Sequence, residues 1–304
     1  MTAAERIPLL EMRARIVAAI RSFFDNRGFV EVETAVRIAA PAPEEHIDCP
    51  VVPPPVVPET ARGTPTTYLR ASPELQMKKL LAAGMERIYQ IGSCFREGER
   101  GSRHNPEFTM LEWYRRGVGY LELRDDLAEL LAAVSDAAPG LRCMDSSAEV
   151  LAVRDAYRRL AGWDPWRGEW DQDRFDFDMA TKVEPAIKAM GGGVFLTDYP
   201  PAAASLALVS GEGEPYAERW EFYWDGIELA NCFSELCDAA EQHRRFEHAR
   251  ARRRELGEED YPLDEEFLCS LPAIGRAAGA ALGVDRLVMA LVGAGNIVDV
   301  RAPA

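Results

Sequence analysis

Two carboxylates, Glu228 and Glu235, stand seven positions apart in the run GIELANCFSELCD. Converging beside a triphosphate, such a pair would serve as magnesium ligands, because Mg²⁺ takes a few carboxylate oxygens and fills its remaining positions with phosphate and water. One of the two would also receive a substrate ammonium. An odd spacing places them on opposite faces of a uniform strand, so a bulge or turn near Asn231 and Cys232 is needed to bring them to one side. Ordinary acids on an exposed, alternating strand are the plain alternative.

A second concentration of chemistry lies in RIYQIGSCFREGERGSRHNPEFTMLEWY, from Arg87 to Tyr114. Arg96 closes an apolar outgoing arm, and Glu97, Glu99, Arg100, Arg103 and His104 fill a loop loosened by Gly98 and Gly101. The return arm alternates: Phe108, Met110, Glu112 and Tyr114 share one face, and Thr109, Leu111 and Trp113 the other. A fixed guanidinium matches phosphate with its planar fork, and an aromatic face stacks on a base. The hairpin therefore suits a nucleoside triphosphate; the same spacing also describes a charged, solvated hairpin.

Positioning these groups falls to elements that the periodicity predicts. Apolar residues at helical spacing run from Leu9 to about residue 27, Gly28 stops the helix, and Phe29–Thr34 reads as a strand. Seven prolines between Pro41 and Pro58 make a loop there and exclude a central strand. Ser72 and Pro73 form a helix start ahead of a run from Leu75 to Ala83. A helix is expected from Tyr120 to Ala137, short helices over 138–190, strands at Val194–Tyr199 and Trp220–Ala230, and a helix over Asp238–Glu255. The arginines of that last helix (Arg250, Arg252, Arg253 and Arg254) read as a solvated face. A small-residue strand from Ala278 runs into a final helix. This order lacks the βαβ alternation of a doubly wound sheet, and no GxxxxGK[ST] loop is present.

With 47% apolar and 28% charged residues in 304, the chain has the composition of a globular protein. Its net charge of −15 argues against a broad nucleic-acid surface, while leaving room for a local basic patch. The six cysteines are scattered with no CxxC pair, which reads as reduced thiols in a cytoplasmic protein without a zinc site. No apolar run reaches membrane-spanning length.

RHNPEFTMLEWY, GIELANCFSELCDA and GAALGVDRL, in this order, resemble motif 2, its companion strand and motif 3 of the class II aminoacyl-tRNA synthetases, nearest to the lysyl branch. Phe29–Thr34 resembles the end of motif 1. The resemblance covers nearly the whole chain. It implies an α+β fold, a six- or seven-stranded antiparallel sheet flanked by helices, in one catalytic domain over 1–304 that dimerises through motif 1. Lysyl-tRNA synthetases carry an anticodon-binding barrel before motif 1, and none is expected here. That feature, Ser72–Glu74, the LEWYR of Leu111–Arg115, and Ala281 in place of a synthetase glycine are similar to the elongation factor P–lysine ligases. Those paralogues attach (R)-β-lysine to a lysine of elongation factor P.

The resemblance implies ATP and Mg²⁺ as cofactors, lysine or β-lysine as substrate, and elongation factor P as acceptor in preference to tRNA. By the same likeness Arg96 would hold the α-phosphate, and Arg286 would stack on the adenine and reach the γ-phosphate. Phe108 would close the other face of the base. His104, Asn105, Leu229 and Glu97 or Glu99 (preferably Glu99) would contact ATP, and Gly283 would let the backbone approach it. Ser72, Glu74, Tyr114, Asn231, Glu235 and Ala281 would line the amino-acid pocket, and Glu228 with Glu235 would hold the metal. One methyl at Ala281 would change which amino acid is accepted, an effect of about 1–3 kcal/mol. Cys232, where glycine is usual, would strain the bulge or narrow the pocket. A tRNA-acylating enzyme without an anticodon domain, and a non-catalytic nucleotide or amino-acid sensor, are the alternatives.

Overall fold

The structure, a computed structural model, describes residues 2–53, 66–138, 140–142, 144 and 148–303; Pro54, Pro55, Pro58 and Cys143 lie outside them. Thr2 opens the first helix, α1 (Ala3–Asp25), by accepting from the Glu5 amide while the Glu5 carboxylate accepts from its own. This reciprocal cap starts the helix ahead of the apolar periodicity that begins at Leu9. Short strands β1 (Val30–Glu31), β2 (Arg37–Ile38), β3 (Val51–Val52) and β4 (Thr67–Leu69) follow, then α2 (Glu74–Ala82). The expected hairpin is β5 (Arg87–Phe95) and β6 (Glu107–Arg116), and α3 spans Tyr120–Ala137. After β7 (Glu149–Ala152) come α4 (Val153–Ala156), α5 (Gln172–Asp178) and α6 (Glu184–Met190), interrupted by two π-helical turns. The rest is β8 (Gly193–Tyr199), β9 (Val209–Ser210), β10 (Tyr216–Trp224), β11 (Ile227–Ser234), α7 (Ala239–Leu256), α8 (Glu265–Ile274), β12 (Ala277–Gly283) and α9 (Val284–Val292).

One nine-stranded sheet runs β1-β5-β6-β12-β11-β10-β8-β7, with β9 on β10. Its centre is antiparallel, as the motifs implied. It is larger than the expected six or seven strands, and β1 and β7 pair in parallel with β5 and β8. A separate three-stranded sheet, β2-β4-β3, takes in Val51–Val52, between Pro50 and Pro53 of the proline-rich stretch. Helices α1, α3 and α9 cover one face of the main sheet with Phe24, Leu127, Leu130, Leu287 and Val288 against Leu111, Trp113 and Trp220. The other face of β6, β12 and β11 is left for polar groups. No helix among the described residues is long and apolar enough to cross a membrane, and the five described cysteines are free thiols.

Three expectations are corrected. Trp220–Ala230 is two strands, because Asp225 and Gly226 take positive φ values of 48° and 71° and reverse the chain in two residues. The bulge in β11 falls at Leu229, where the register jumps from Phe222–Ala230 to Tyr223–Glu228. It still brings Glu228, Asn231 and Glu235 to one face. Cys232 stays in the regular ladder opposite Trp220 and Ala280, fully buried on the core side, so it neither strains the bulge nor narrows a pocket. Arg253 is the third: it is 0% exposed, donating to the Glu44, Ile47 and Glu259 carbonyls and pairing with Asp48.

Gly226→Ala would place a β-carbon onto Lys188 and hold a side chain at φ +71°. Urea denaturation should show a loss of about 1–3 kcal/mol.

Candidate active site

A cavity of about 240 Å³ opens between the β5–β6 loop, the start of β11 and the β12–α9 junction. Arg96, Glu99, His104, Asn105, Phe108, Glu228, Leu229, Asn231, Ala281, Gly283 and Arg286 all line it. Glu97 does not: it is exposed, and its amide donates to the Asp48 carbonyl at 2.7 Å. The Arg96 guanidinium stands 5.2 Å over the Phe108 ring and 3.4 Å from Glu99. Asn105 donates to the Glu107 carbonyl, which bends the loop back into β6. Arg286 donates to the Glu228 carbonyl at 3.0 Å and its carboxylate at 3.2 Å, and sits 2.6 Å from His104 Nε2. Burial, then the Arg286 charge, holds the His104 pKa below its usual value, so the ring accepts from the guanidinium. A β-carbon on Gly283 would come no nearer than 3.7 Å to Arg286, so the chain itself leaves room there.

The neighbouring compartment is built from buried acids. Ser72 accepts from the Glu74 amide at 2.9 Å and donates to Glu112 at 2.5 Å; Tyr114 donates to the other Glu112 oxygen at 2.7 Å. Lys78, four residues after Glu74 on α2, contacts Glu74 at 2.5 Å and Glu235 more closely still. Lys78 and the Glu235 side chain are each 1% exposed. Burial alone would lower the Lys78 pKa, but the charges of Glu235 and Glu74 raise it, so the amine stays protonated. Burial, helped by the Glu74 charge, lifts Glu112 to about 7. Gly279 forms the floor: a β-carbon there would overlap the Tyr114 ring and stand 2.6 Å from Glu235 Oε1. Ala281 lies between Asn231 and Glu112 across the sheet, at the seam of the two compartments.

Every expected amino-acid-site residue thus falls at this compartment or at the seam, whereas Glu228 and Glu235 do not meet. They sit at opposite ends of β11, about 20 Å apart along the strand, Glu228 paired with Arg286 and Glu235 with Lys78. The acid whose charge chiefly acts on Glu228 is Glu221. Lys78, Glu112 and Gly279 were missed. Their signals were present: Glu74 and Lys78 at i,i+4, a lone acid on the Tyr114 face of β6, and a glycine in a strand.

The family model for class II tRNA synthetases (D, K and N) matches residues 3–303. Among curated relatives, the elongation factor P–(R)-β-lysine ligase of Proteus mirabilis strain HI4320 is 38% identical over 315 residues, covering 95% of this chain and 93% of its own. The ligase of the same name from Yersinia enterocolitica is 40% identical over 304 residues, covering 95% and 93%. That of Salmonella gallinarum is 39% identical over 310 residues, covering 97% and 94%.

Gly279→Ala should close the acidic compartment. In calorimetric titrations, lysine affinity is expected to fall at least about tenfold more than ATP affinity.

Proposed function

The chain belongs to the class II tRNA synthetase family (D, K and N), and on that premise we propose that it activates (R)-β-lysine or lysine with ATP and transfers it to a lysine ε-amine of elongation factor P. The observation that carries this reading is the acidic compartment. Three buried carboxylates, Glu74, Glu112 and Glu235, surround one ammonium, Lys78. When all three ionise they leave two negative charges in excess, which suits a substrate bearing two ammonium groups. The names of the relatives support elongation factor P as the acceptor. We take 1–304 as one catalytic domain in the cytoplasm. A homodimer through α1 and β1 agrees with Ile7 and Val30, 53% and 51% exposed.

In the first step a substrate carboxylate oxygen bonds to the α-phosphorus of ATP as the bond to pyrophosphate breaks. Arg96 and Arg286, which line the cavity with Arg103 and Arg219, would meet the phosphates, and donors fixed before reaction stabilise charge that develops in the transition state. Phosphate would draw Arg286 away from Glu228 and His104. Mg²⁺, when bound, would neutralise triphosphate charge; Glu228, with a 42% exposed side chain facing the cavity, fits as its protein ligand. Glu235, already held by Lys78, fits the substrate ammonium instead. In the second step the acceptor amine attacks the mixed anhydride, the C–N bond forms, AMP leaves and the ammonium gives up two protons.

The test is to incubate the protein with ATP, Mg²⁺ and labelled lysine or β-lysine, offering elongation factor P and tRNA separately. Label on elongation factor P supports the proposal; label on tRNA alone overturns it. Arg286→Ala should slow pyrophosphate exchange at least about a hundredfold. The Glu112 pKa of about 7 adds a pH dependence. A raised carboxyl pKa keeps the proton on below it, so a dication must displace that proton. Lysine affinity should therefore rise with pH through about 7, with Glu235, which burial lifts to about 8, carrying the rise further, and Glu112→Gln should remove only its lower part.

A further inference from the structure

Across β10, β11, β12 and β6, one row of side chains on the site face reads Glu221, Asn231, Ala281 and Glu112, and the next row sets Arg219 opposite Phe233. Arg219 reaches diagonally from its row to Asn231, whose Oδ1 accepts from Nε at 3.0 Å. The guanidinium is fixed on its other sides as well. Nη2 donates to Glu221 at 2.6 Å, Nη1 donates to the Ala203 carbonyl at 3.3 Å, and the group stands 4.5 Å over the Tyr199 ring. A guanidinium carries donors and no acceptor, so an amide beside it must turn its oxygen toward it. Asn231 Nδ2 is left on the cavity side, next to Ala281, and donates to no described residue. That choice of end has a chemical consequence. The oxygen of an amide would accept from a substrate ammonium, whereas the nitrogen can only donate, and a carboxylate is its strongest partner.

We propose that Arg219 is a positioning residue: by fixing the Asn231 amide it makes the seam a donor to the substrate's carboxyl group. The inference rests on the functional reading above, in which ammonium groups go to the acids around Lys78 and the carboxylate goes to ATP. A substrate entering in reverse would set an ammonium against N–H groups. In the productive orientation one carboxylate oxygen accepts from Asn231 Nδ2, and the other is left to bond the α-phosphorus. An amide free to flip would serve either end of the substrate, so the preference for one orientation comes from Arg219 and not from Asn231 alone. A donor fixed before the substrate arrives also needs no reorganisation when it does.

Arg219 lines the same cavity, so its action through Asn231 has to be separated from a direct effect of its charge. The probes are lysine and 1,5-diaminopentane, which is lysine without its carboxylate. Both are titrated calorimetrically against the unaltered chain, Arg219→Met, Asn231→Ala and the double variant. In each single variant the lysine Kd is expected to rise at least about tenfold, while that of diaminopentane stays within about twofold. In the Asn231→Ala background, Arg219→Met should lower the lysine preference no further, because the two residues act as one unit. Additive losses would show Arg219 acting on the carboxylate by its own charge and would overturn the proposal. Equal weakening of both probes would reduce the pair to packing, and weakened ATP with intact lysine would assign Arg219 to the nucleotide; either result overturns it. Should Arg219→Met not fold, an unmoved lysine preference in Asn231→Ala overturns it alone. No binding of either probe by the unaltered chain would overturn the functional reading, and this inference with it.

Discussion

The ammonium of Lys78 lies between the Glu74 and Glu235 carboxylates in a space from which water is nearly excluded. Glu112 is buried beside them, held by two hydroxyls in place of a cation. Charges in such surroundings are strongly disfavoured unless paired, and removing one partner of a buried pair typically costs about 3–5 kcal/mol. The groups come from four places: α2 gives Glu74 and Lys78, β6 gives Glu112 and Tyr114, β12 gives the space over Gly279, and the residue after β11 gives Glu235. They meet because the sheet order sets β6, β12 and β11 side by side. A change in strand order would leave these acids buried apart from their one counter-charge, so the electrostatics of the compartment and the topology of the sheet require each other.

A second buried charge ties the nucleotide wall to the ends of the described chain. Asp285, 1% exposed at the start of α9, pairs with Arg13 of α1 at 2.5 Å and with Arg301 at 2.6 Å, and accepts from the Thr109 amide at 3.0 Å. Its neighbours in sequence and space are Arg286 and Phe108. The first helix and the segment at Arg301 therefore hold two walls of the cavity of about 240 Å³. Arg253 does the same work for the loop at Glu44–Asp48, by satisfying carbonyls that would otherwise be unpaired.

What the sequence made legible follows from how local each signal is. The β5–β6 hairpin and α3 were readable because period 2 and period 3.6 lie within single segments. Asp225-Gly226 is a hairpin dipeptide, but the strand-like residues on both sides, Phe222-Tyr223-Trp224 and Ile227-Glu228-Leu229, concealed it as one strand. Arg253 looked solvated because its helix is charged all round; its burial depends on a loop some two hundred residues away. Lys78 and Glu112 were hidden for the same reason, since a lysine in an amphipathic helix and an acid in a strand usually face water. The position of the β11 bulge depends on how β10 pairs with it, which no single segment encodes.

The site as a whole has a direction. In the cavity of about 240 Å³, Arg96, Arg103, Arg219 and Arg286 are matched by Glu44, Glu99, Glu228 and Asp285, whereas Glu74, Glu112 and Glu235 crowd the other compartment around the single Lys78, with Ala281 and Asn231 at the seam. On the reading proposed above, the distal ammonium of the amino acid is drawn to the compartment with the surplus of carboxylates, and its carboxylate is kept out of it, on the side of the arginines. The reacting oxygen would then lie on the side where that reading puts the phosphates, and the opposite orientation would set the carboxylate against the buried acids. Orientation is the costly part of joining two anions, a carboxylate and a triphosphate. A net charge of −15 over the chain leaves this local gradient intact, because the surface acids are screened by salt beyond about 10 Å.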